Sequence, residues 1–398
     1  MGWDRTYQYR LELTIDKDVF GSTETDFPIP ILLSTSSGIT NQDVSQVFDE
    51  LGSDSLKIAV TTDDGETQLY VEVDLWDDTG ENALLFVKVP SISSSVDTTL
   101  YLYYDSTVAD NTTYVGAATS AAAQNVWSSD FEAVYNFGQD PTGSADDIKD
   151  STSNGNHGTS DNMGSGNRSA GLAGSMLTFN GSDEVIDIST NFNLQGEWVQ
   201  LVMFKTADVT PGRYIFPLGS GLWNATNALS TGFNDSYFRF STGGKGYNLT
   251  TQDYSDDTWH QSTHRKWNSG YYHGFFRDKI KKTWSESGSV DTSTTQTFGN
   301  AIGAKKTAAS TFTDYFPGDI NNVWILNAGK SEDWLKAVYD ALYDSAVTFA
   351  SGSETRVEFV IDIGEEISVA ESFEYEFNII NLTASESITI AESSEGFT

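Results

Sequence analysis

The chain has 398 residues, a formal net charge of −35 at pH 7 and an aromatic content of 13%. Such a charge repels phosphate backbones and anionic membrane surfaces, so we expect no nucleic-acid partner. The absence of cysteine excludes disulfides, thiolate zinc sites and cysteine nucleophiles. No apolar run approaches the roughly 20 residues that cross a bilayer, so we expect no membrane insertion.

The first quarter of the chain has the pattern of a β-sandwich. Apolar and polar residues alternate through residues 7–15, 67–75, 83–89 and 99–104, and turn signals separate these runs. Short strands at this spacing predict an N-terminal sandwich domain over residues 1–105. The stretch that follows, residues 106–124, is rich in Ala, Thr and Val and predicts a linker or a short helix.

A second block, residues 125–351, also consists mainly of strand patterns, among them MLTFNG, WVQLVMFKT and NNVWILN. One helical pattern follows them near its end, KSEDWLKAVYDALYDSAV. Ser331 can cap this helix, and its apolar stripe is formed by Trp334, Leu335, Val338, Leu342 and Tyr343. The chain is therefore expected to be all-β, with two sandwiches and one C-terminal amphipathic helix that packs on a sheet.

Residues 352–398 form an acidic tail with a short internal repeat. EEISVAESF and ESITIAESS are near copies about 21 residues apart, and each alternates apolar and polar residues. A segment of this size cannot bury a core alone, so we expect it to pair with another chain or with identical copies in a homo-oligomer. A disordered acidic tail is the alternative.

Two known families resemble the two blocks. The succession YQYRLELTID, TDFPIPILL, SLKIAVTTDDG and LYVEVDLWD resembles an uncharacterised domain of unknown function that often precedes LamG modules. The succession VWSSDFEAVYNFG, DSTSNGNHGT, DTWHQSTHRKW and FPGDINNVWILN resembles a LamG-type, concanavalin A-like jelly roll. That family often has an Asp where this chain has Asn321. The resemblance implies a jelly-roll fold, which carries lectins, adhesins, spacers and glycosidases alike.

Glycosidase catalysis on such a sheet would need paired carboxylates on one strand. The nearest candidate is the string from Glu72 to Asp77, EVDLWD. Regular alternation puts Glu72 and Asp74 on one face and Asp77 on the other unless a bulge intervenes, and the string lies outside the jelly-roll block. We therefore expect no enzymatic activity and assign no catalytic residue.

The four histidines do not suggest a zinc site. His260 and His264 lie four residues apart in a strand pattern, which separates them by roughly 13 Å instead of bringing them together as on a helix. His157 and His273 have no thiolate or helical partner.

Calcium is the candidate cofactor, and the sequence indicates no other. Oxygen ligands are abundant in the loop KDSTSNGNHGT and in the turn FNGSDE. The resemblance implies a loop site whose donors would be Asp150, Ser151, Asn154, Asn156 and Asp183. Alternatively, these short side chains bond their own backbone and shape turns.

Exposed aromatic rings near turns rich in Asn, Asp and Ser are candidates for stacking on a sugar. The candidate glycan-binding residues are Trp223, Tyr237, Tyr247, Tyr254, Trp267 and Tyr271. By contrast, Trp198, Trp259 and Trp324 fall within strand patterns and are expected in the core.

Adhesive-type domains without an evident export signal favour a virion protein, because virions are assembled in the host cytoplasm. The leading hypothesis is a non-enzymatic phage or virus surface protein, such as a decoration, fibre or tail appendage. It would contact other virion proteins, copies of itself and host-surface glycans. The alternatives are a cellular surface adhesin or extracellular filament component, and a polysaccharide-degrading enzyme.

Overall fold

The computed structural model describes residues 4, 6–192, 194, 196–208, 212–217, 256–265 and 300–356. It also describes the backbone of strand residues 229–234, 237–242, 245–249, 266–267, 272–277 and 280–285. These parts are almost entirely β-structure, which confirms the all-β prediction.

The first block contains eight strands and two short helices. The strands are β1 (Tyr9–Ile15), β2 (Glu24–Leu33), β3 (Ile58–Thr62), β4 (Gln68–Leu69), β5 (Val71–Asp77), β6 (Asn82–Ile92), β7 (Thr98–Tyr104) and β8 (Val115–Ala117). The helices are α1 (Gln46–Leu51) and α2 (Ala121–Gln124), and a 3-10 turn covers Lys17–Val19. The stretch predicted as a linker or short helix thus holds both β8 and α2.

In the second block, the described residues form the remaining strands and one longer helix. Its first strands are β9 (Phe131–Tyr135), β10 (Thr159–Asp161), β11 (Arg168–Ala170), β12 (Ser175–Asn180), β13 (Val185–Ile188), β14 (Trp198–Lys205) and β15 (Arg213–Tyr214). Next come β16 (Leu229–Asn234), β17 (Tyr237–Thr242), β18 (Lys245–Leu249), β19 (His260–Trp267), β20 (Tyr272–Arg277) and β21 (Ile280–Ser285). The last are β22 (Asn300–Ile302), β23 (Lys305–Ala308), β24 (Thr311–Thr313), β25 (Pro317–Leu326), α3 (Glu332–Leu342), β26 (Val347–Phe349) and β27 (Glu354–Thr355), and a 3-10 turn covers Ser165–Asn167.

Two sheets make the first sandwich. One has the order β26-β1-β7-β3-β4, with β27 also paired to β1, and the other has the order β2-β6-β5-β8. β1 pairs with β7 in unbroken antiparallel register from Tyr9 opposite Tyr104 to Ile15 opposite Thr98. Because β26 and β27 pair with the other edge of β1, residues 347–355 complete the sheet that begins at residue 9.

An eight-stranded sheet forms the centre of the second block, in the order β11-β12-β25-β14-β19-β20-β21 with β9 also paired to β25. Alternation along β14 sends its side chains to two different cores. Val202 and Phe204 pack with Ile186, Ile188 and Phe316 on one face. Val199, Leu201 and Met203 pack on the opposite face, towards the first block.

The two blocks share one apolar core. A single buried cluster includes residues of the first sandwich, such as Leu11 and Ile29, together with Trp127, Leu201 and Trp324 of the second block. The Phe86 ring of β6 lies 5.2 Å from the Trp127 ring and 5.9 Å from the Trp324 ring, measured between centroids. The four-stranded sheet therefore packs directly on the eight-stranded one.

Helix α3 covers the junction between the blocks. The Ser331 hydroxyl accepts a hydrogen bond from the Trp334 N–H at 2.9 Å, as the predicted cap requires. Trp334, Leu335, Val338 and Leu342 are buried, and the Trp334 ring lies 5.7 Å from that of Phe27 in β2. The predicted helix and its packing on a sheet are confirmed.

Within the described ranges, no helix has the length and apolar character needed to cross a membrane.

Candidate functional site

The acidic string of β5 lies at the contact between the two blocks. Register against β6 shifts between Val73 and Leu75, so Asp74 is the extra residue of a β-bulge. Glu72 is directly opposite Phe86, which contacts the second block. Beyond the bulge, the Trp76 ring packs on Phe48 of α1. The strand therefore contains the bulge that would interrupt regular alternation between Glu72 and Asp77.

Glu72 is fully buried and is held by two residues of the second block. Trp127 Nε1 donates to Glu72 Oε2 at 2.5 Å, and Ser151 Oγ donates to Glu72 Oε1 at 2.5 Å. Burial, with the nearby charge of Asp74, raises the pKa of Glu72 to about 8. At neutral pH the carboxyl is therefore mostly protonated.

Asp74 is 7% exposed and lies against two glycines of the second block. A Cβ on Gly138 would come within 2.1 Å of the Asp74 carbonyl oxygen, and one on Gly174 would come within 3.3 Å of Asp74 Oδ2. Burial raises the pKa of Asp74 to about 7, while the Gly138 N–H and the Arg168 charge lower it. Neither carboxylate oxygen forms a hydrogen bond of full geometry within the described ranges. No open space for a substrate separates this acid from the glycine backbone.

The loop that contains Asp150 is a network of turn hydrogen bonds. The Asp150 carboxylate accepts from the N–H groups of Val134, Thr152 and Asn156 and from the Thr152 hydroxyl, at 2.9–3.0 Å. His157 Nδ1 accepts the Asp150 N–H at 3.0 Å. The Asp150 side chain therefore shapes the turn through hydrogen bonds to the backbone, which was the alternative to binding calcium.

Asn154 and Asn156 fasten this loop to β9. Both side-chain amides donate to the Glu132 carbonyl, at 3.0 and 2.8 Å. Asp183 lies in another turn, where it accepts from the Asn180 amide at 2.8 Å. Across the parts of the chain that the structure describes, no group of three or more His, Cys, Asp or Glu could hold a metal ion. Calcium binding stays a prediction.

Asn321 occupies the position where the resembling family often has an Asp. Its amide donates to the carbonyls of Ala173 and Ser175 at 2.7 and 2.8 Å, and its oxygen accepts the Ala173 N–H at 2.8 Å. The Asn321 amide therefore joins β25 to residues 173–175. An Asp carboxylate in this position could not donate these two hydrogen bonds.

The two histidines of β19 do not form a pair. His260 Nε2 lies 3.1 Å from the Asp256 carboxylate. The His264 ring instead packs nearly perpendicular to the Trp198 ring, with their centroids 4.7 Å apart. Trp198 and Trp324 are buried as predicted, and Trp259 is half-buried.

The side chains of the six candidate glycan-binding aromatics lie outside the described residues. Backbone is described for Tyr237 in β17, Tyr247 in β18 and Trp267 at the end of β19. Trp223, Tyr254 and Tyr271 lie wholly outside. Their role in glycan binding stays a prediction.

An open groove lies at one end of the first sandwich. It is bounded by α1 and the loop before it, by the ends of β1 and β7, and by the returning segment at β27, and its volume is about 630 Å³. The half-buried Tyr9 ring stacks on Tyr104 with centroids 5.5 Å apart and planes 23° from parallel. Asp43, Asp49 and Glu50 also line it.

Sequence reasoning missed this groove. Tyr9 and Tyr104 fall in strand patterns that were recognised, but their pairing joins residues 95 positions apart. The strand β27, which completes the wall, is 250 residues further along the chain than β7. No local pattern signals such a meeting.

One family model matches part of the chain. It is the domain of unknown function DUF2341, matched over residues 53–138. The matched region extends from β3 to just beyond β9, so it contains Glu72, Asp74 and Trp127 and includes the contact between the blocks. No curated protein matches the sequence.

Several solved structures are similar to parts of the chain. Domain 4 of AbnA, an extracellular GH43 arabinanase from Geobacillus stearothermophilus solved with arabinotriose, is 16% identical over 52% of this chain and 98% of that domain, with a TM-score of 0.40. A botulinum neurotoxin type C structure, from work on its interaction with gangliosides, is 12% identical over 51% of this chain and 50% of that one, with a TM-score of 0.36. The CBM40 of a Ruminococcus gnavus sialidase is 14% identical over 41% of this chain and 97% of its own, with a TM-score of 0.30.

Proposed function

We propose that this protein is a non-enzymatic structural and adhesive protein of a phage or virus surface, and that it binds host-surface glycans. The observation that supports a binding role over a catalytic one is the burial of the Glu72 and Asp74 carboxyls between the two blocks. These were the nearest match to a glycosidase acid pair.

A glycosidase places its two carboxyl groups on either side of a scissile bond in a cleft that admits the sugar. Glu72 is instead enclosed by Trp127, Ser151 and Phe86, and Asp74 by the backbone of Gly138 and Gly174. Their raised pKa values resemble those of catalytic acids, but burial without access produces the same shift. Glu72 joins the two blocks through Trp127 and Ser151, and the blocks share one buried apolar cluster.

The test is a binding and turnover experiment on the purified full chain. We expect immobilised glycans to retain the protein while polysaccharide substrates release no soluble products, and we expect Glu72→Gln to bind glycans as the wild type does. Release of oligosaccharides by the wild type, lost in Glu72→Gln, would establish an enzyme and overturn the proposal.

The virion setting has its own measurement. Gold-labelled antibody against the protein should mark the surface of purified particles in electron micrographs. Labelling of host cell surfaces without labelling of particles would identify a cellular adhesin instead.

A further inference from the structure

An open groove lies between α1 and the ends of β1, β7 and β27. Its volume of about 630 Å³ falls within the roughly 300–1,000 Å³ of small-molecule sites. We propose that this groove binds an uncharged sugar through the Tyr9 ring and the Asp49 carboxylate. The proposal rests on the proposed function and deepens it, since it supplies both a place for the glycan and its chemical class.

The Tyr9 ring is a preorganised stacking surface. Tyr9 lies on a middle strand of its sheet, opposite Tyr104 on one side and Thr355 on the other. One face of the Tyr9 ring packs on the buried ring of Tyr104, and Tyr9 remains partly exposed. The C–H face of a sugar stacks on such a ring at low entropic cost, because the ring is already held.

The wall beneath the ring is fixed by side-chain hydrogen bonds. The hydroxyls of Tyr104 and Ser353 are hydrogen-bonded to each other, and Gln46 Nε2 donates to Ser353 Oγ at 3.3 Å. Glu50 Oε1 accepts from the N–H and the hydroxyl of Ser106, at 3.0 and 2.6 Å. Helix α1 and the returning strand are therefore tied together across the groove before any ligand arrives.

Two polar side chains of the lining are accessible. Tyr9 is half-buried and Asp49 is exposed, and both line the groove. A carboxylate accepts hydrogen bonds from two hydroxyls at once, which suits neighbouring hydroxyls on a sugar ring.

The charge of the lining selects among sugars. Asp43, Asp49 and Glu50 are all acidic, and no Lys or Arg is among the described residues that line the groove. The Ser45 N–H holds the pKa of Asp43 below its usual value, so this group stays ionised. Sialylated, sulfated and uronic sugars would be repelled, and the site is expected to take neutral ones.

The experiment is calorimetric titration of the full chain, using neutral oligosaccharides found on a glycan array and the matched pair lactose and 3′-sialyllactose. We expect binding of neutral sugars and at least about tenfold weaker binding of a sialylated form. Tyr9→Ala should weaken neutral-sugar binding by about tenfold or more, Tyr9→Phe should lose less, and Asp49→Asn should lose about tenfold.

Matched controls separate the groove from general effects. Asp63→Asn removes the same charge from an exposed turn elsewhere, and Tyr114→Ala removes a half-buried tyrosine ring that packs on Tyr70 outside the groove. Both should bind as the wild type does. Because Asp49→Asn alters only an exposed side chain, its folded state can be verified by an unchanged Tm.

The outcomes distinguish the two proposals. Neutral-sugar binding that survives both Tyr9→Ala and Asp49→Asn would overturn the groove site and leave glycan adhesion standing. Preference for the sialylated sugar would overturn the assigned sugar class. Failure of the wild type to bind any glycan would overturn both the groove proposal and glycan adhesion.

Discussion

Glu72 and Asp74 show how burial changes what an acidic residue contributes. Both carboxyls have folded-state pKa values of about 8 and 7, above their ordinary values of 4.5 and 3.8. Asp150 adds a further negative charge near Glu72, and Arg168 acts in the opposite direction on Asp74. Folding of the chain therefore takes up protons between about pH 4 and pH 8.

The contribution of Glu72 and Asp74 to the free energy of unfolding should therefore be largest near pH 4 and smallest near pH 8. Above the ordinary pKa values the unfolded chain loses protons that the folded chain keeps, so the free energy of unfolding falls as pH rises towards 8. Glu72→Gln keeps a polar neutral side chain but cannot ionise. Between pH 5 and pH 7.5 the free energy of unfolding of Glu72→Gln should fall less steeply than that of the wild type. The difference between the two slopes should be about 1.4 kcal/mol per pH unit.

Urea unfolding at several pH values measures this slope directly. The exposed Glu66→Gln is the matched control and should keep the wild-type slope. Equal slopes for Glu72→Gln and the wild type would contradict a titrating buried acid.

At the scale of elements, the returning segment β26 and β27 is the feature that links chain order to architecture. Val347 and Phe349 are both 3% exposed, and Arg10 of β1 pairs with Glu354 at 2.6 Å. The backbones of Gln8 and Arg356 also meet, with the Arg356 N–H donating to the Gln8 carbonyl at 2.8 Å. This segment therefore stabilises the edge of the six-stranded sheet.

Two truncations separate this segment from the acidic repeats. A chain ending at residue 345 loses the burial of Val347 and Phe349 and should be destabilised by roughly 3–6 kcal/mol. A chain ending at residue 356 keeps both strands and should retain the wild-type Tm. Calorimetry compares them, and equal Tm values for the two truncated chains would show that β26 and β27 contribute nothing.

The shorter deletion also tests the predicted pairing of the repeats. Residues 357–398 lie outside the described residues. If the repeats pair between copies, removing them should lower the number of chains per particle, obtained by dividing the molar mass from light scattering by the mass of one chain, while Tm stays unchanged. An unchanged number of chains per particle would contradict pairing between copies of the chain.

For the whole molecule, the shared core predicts one unfolding transition. Phe86 packs on Trp127 and Trp324, and the same buried cluster continues through both sheets of the first sandwich. Neither block can unfold without exposing an apolar face of the other. Phe86→Ala should lower the stability of the entire chain by about 3–5 kcal/mol.

Scanning calorimetry checks this coupling. We expect a single peak for the wild type and a single, lower peak for Phe86→Ala. Two resolved peaks, with Phe86→Ala displacing one alone, would show that the blocks unfold independently.

The sequence by itself indicated the fold class and those strands and that helix whose patterns are clearest. Strand patterns mark β1, β6, β7 and β14, and the Ser331 cap with its apolar stripe marks α3, because these signals depend on neighbours within a few residues. The sequence also identified the acidic string at residues 72–77, but it did not show that Glu72 and Asp74 are buried between the two blocks. Composition alone excluded thiolate chemistry.

Only the tertiary structure decided which residues meet. The bulge at Asp74, the enclosure of Glu72 by Trp127 and Ser151, and the groove around Tyr9 all join segments that are tens to hundreds of positions apart. Strand alternation specifies which face a side chain lies on, but it does not specify what packs against that face. Whether an acid is catalytic or enclosed, and whether a tyrosine is core or binding surface, depends on that second layer.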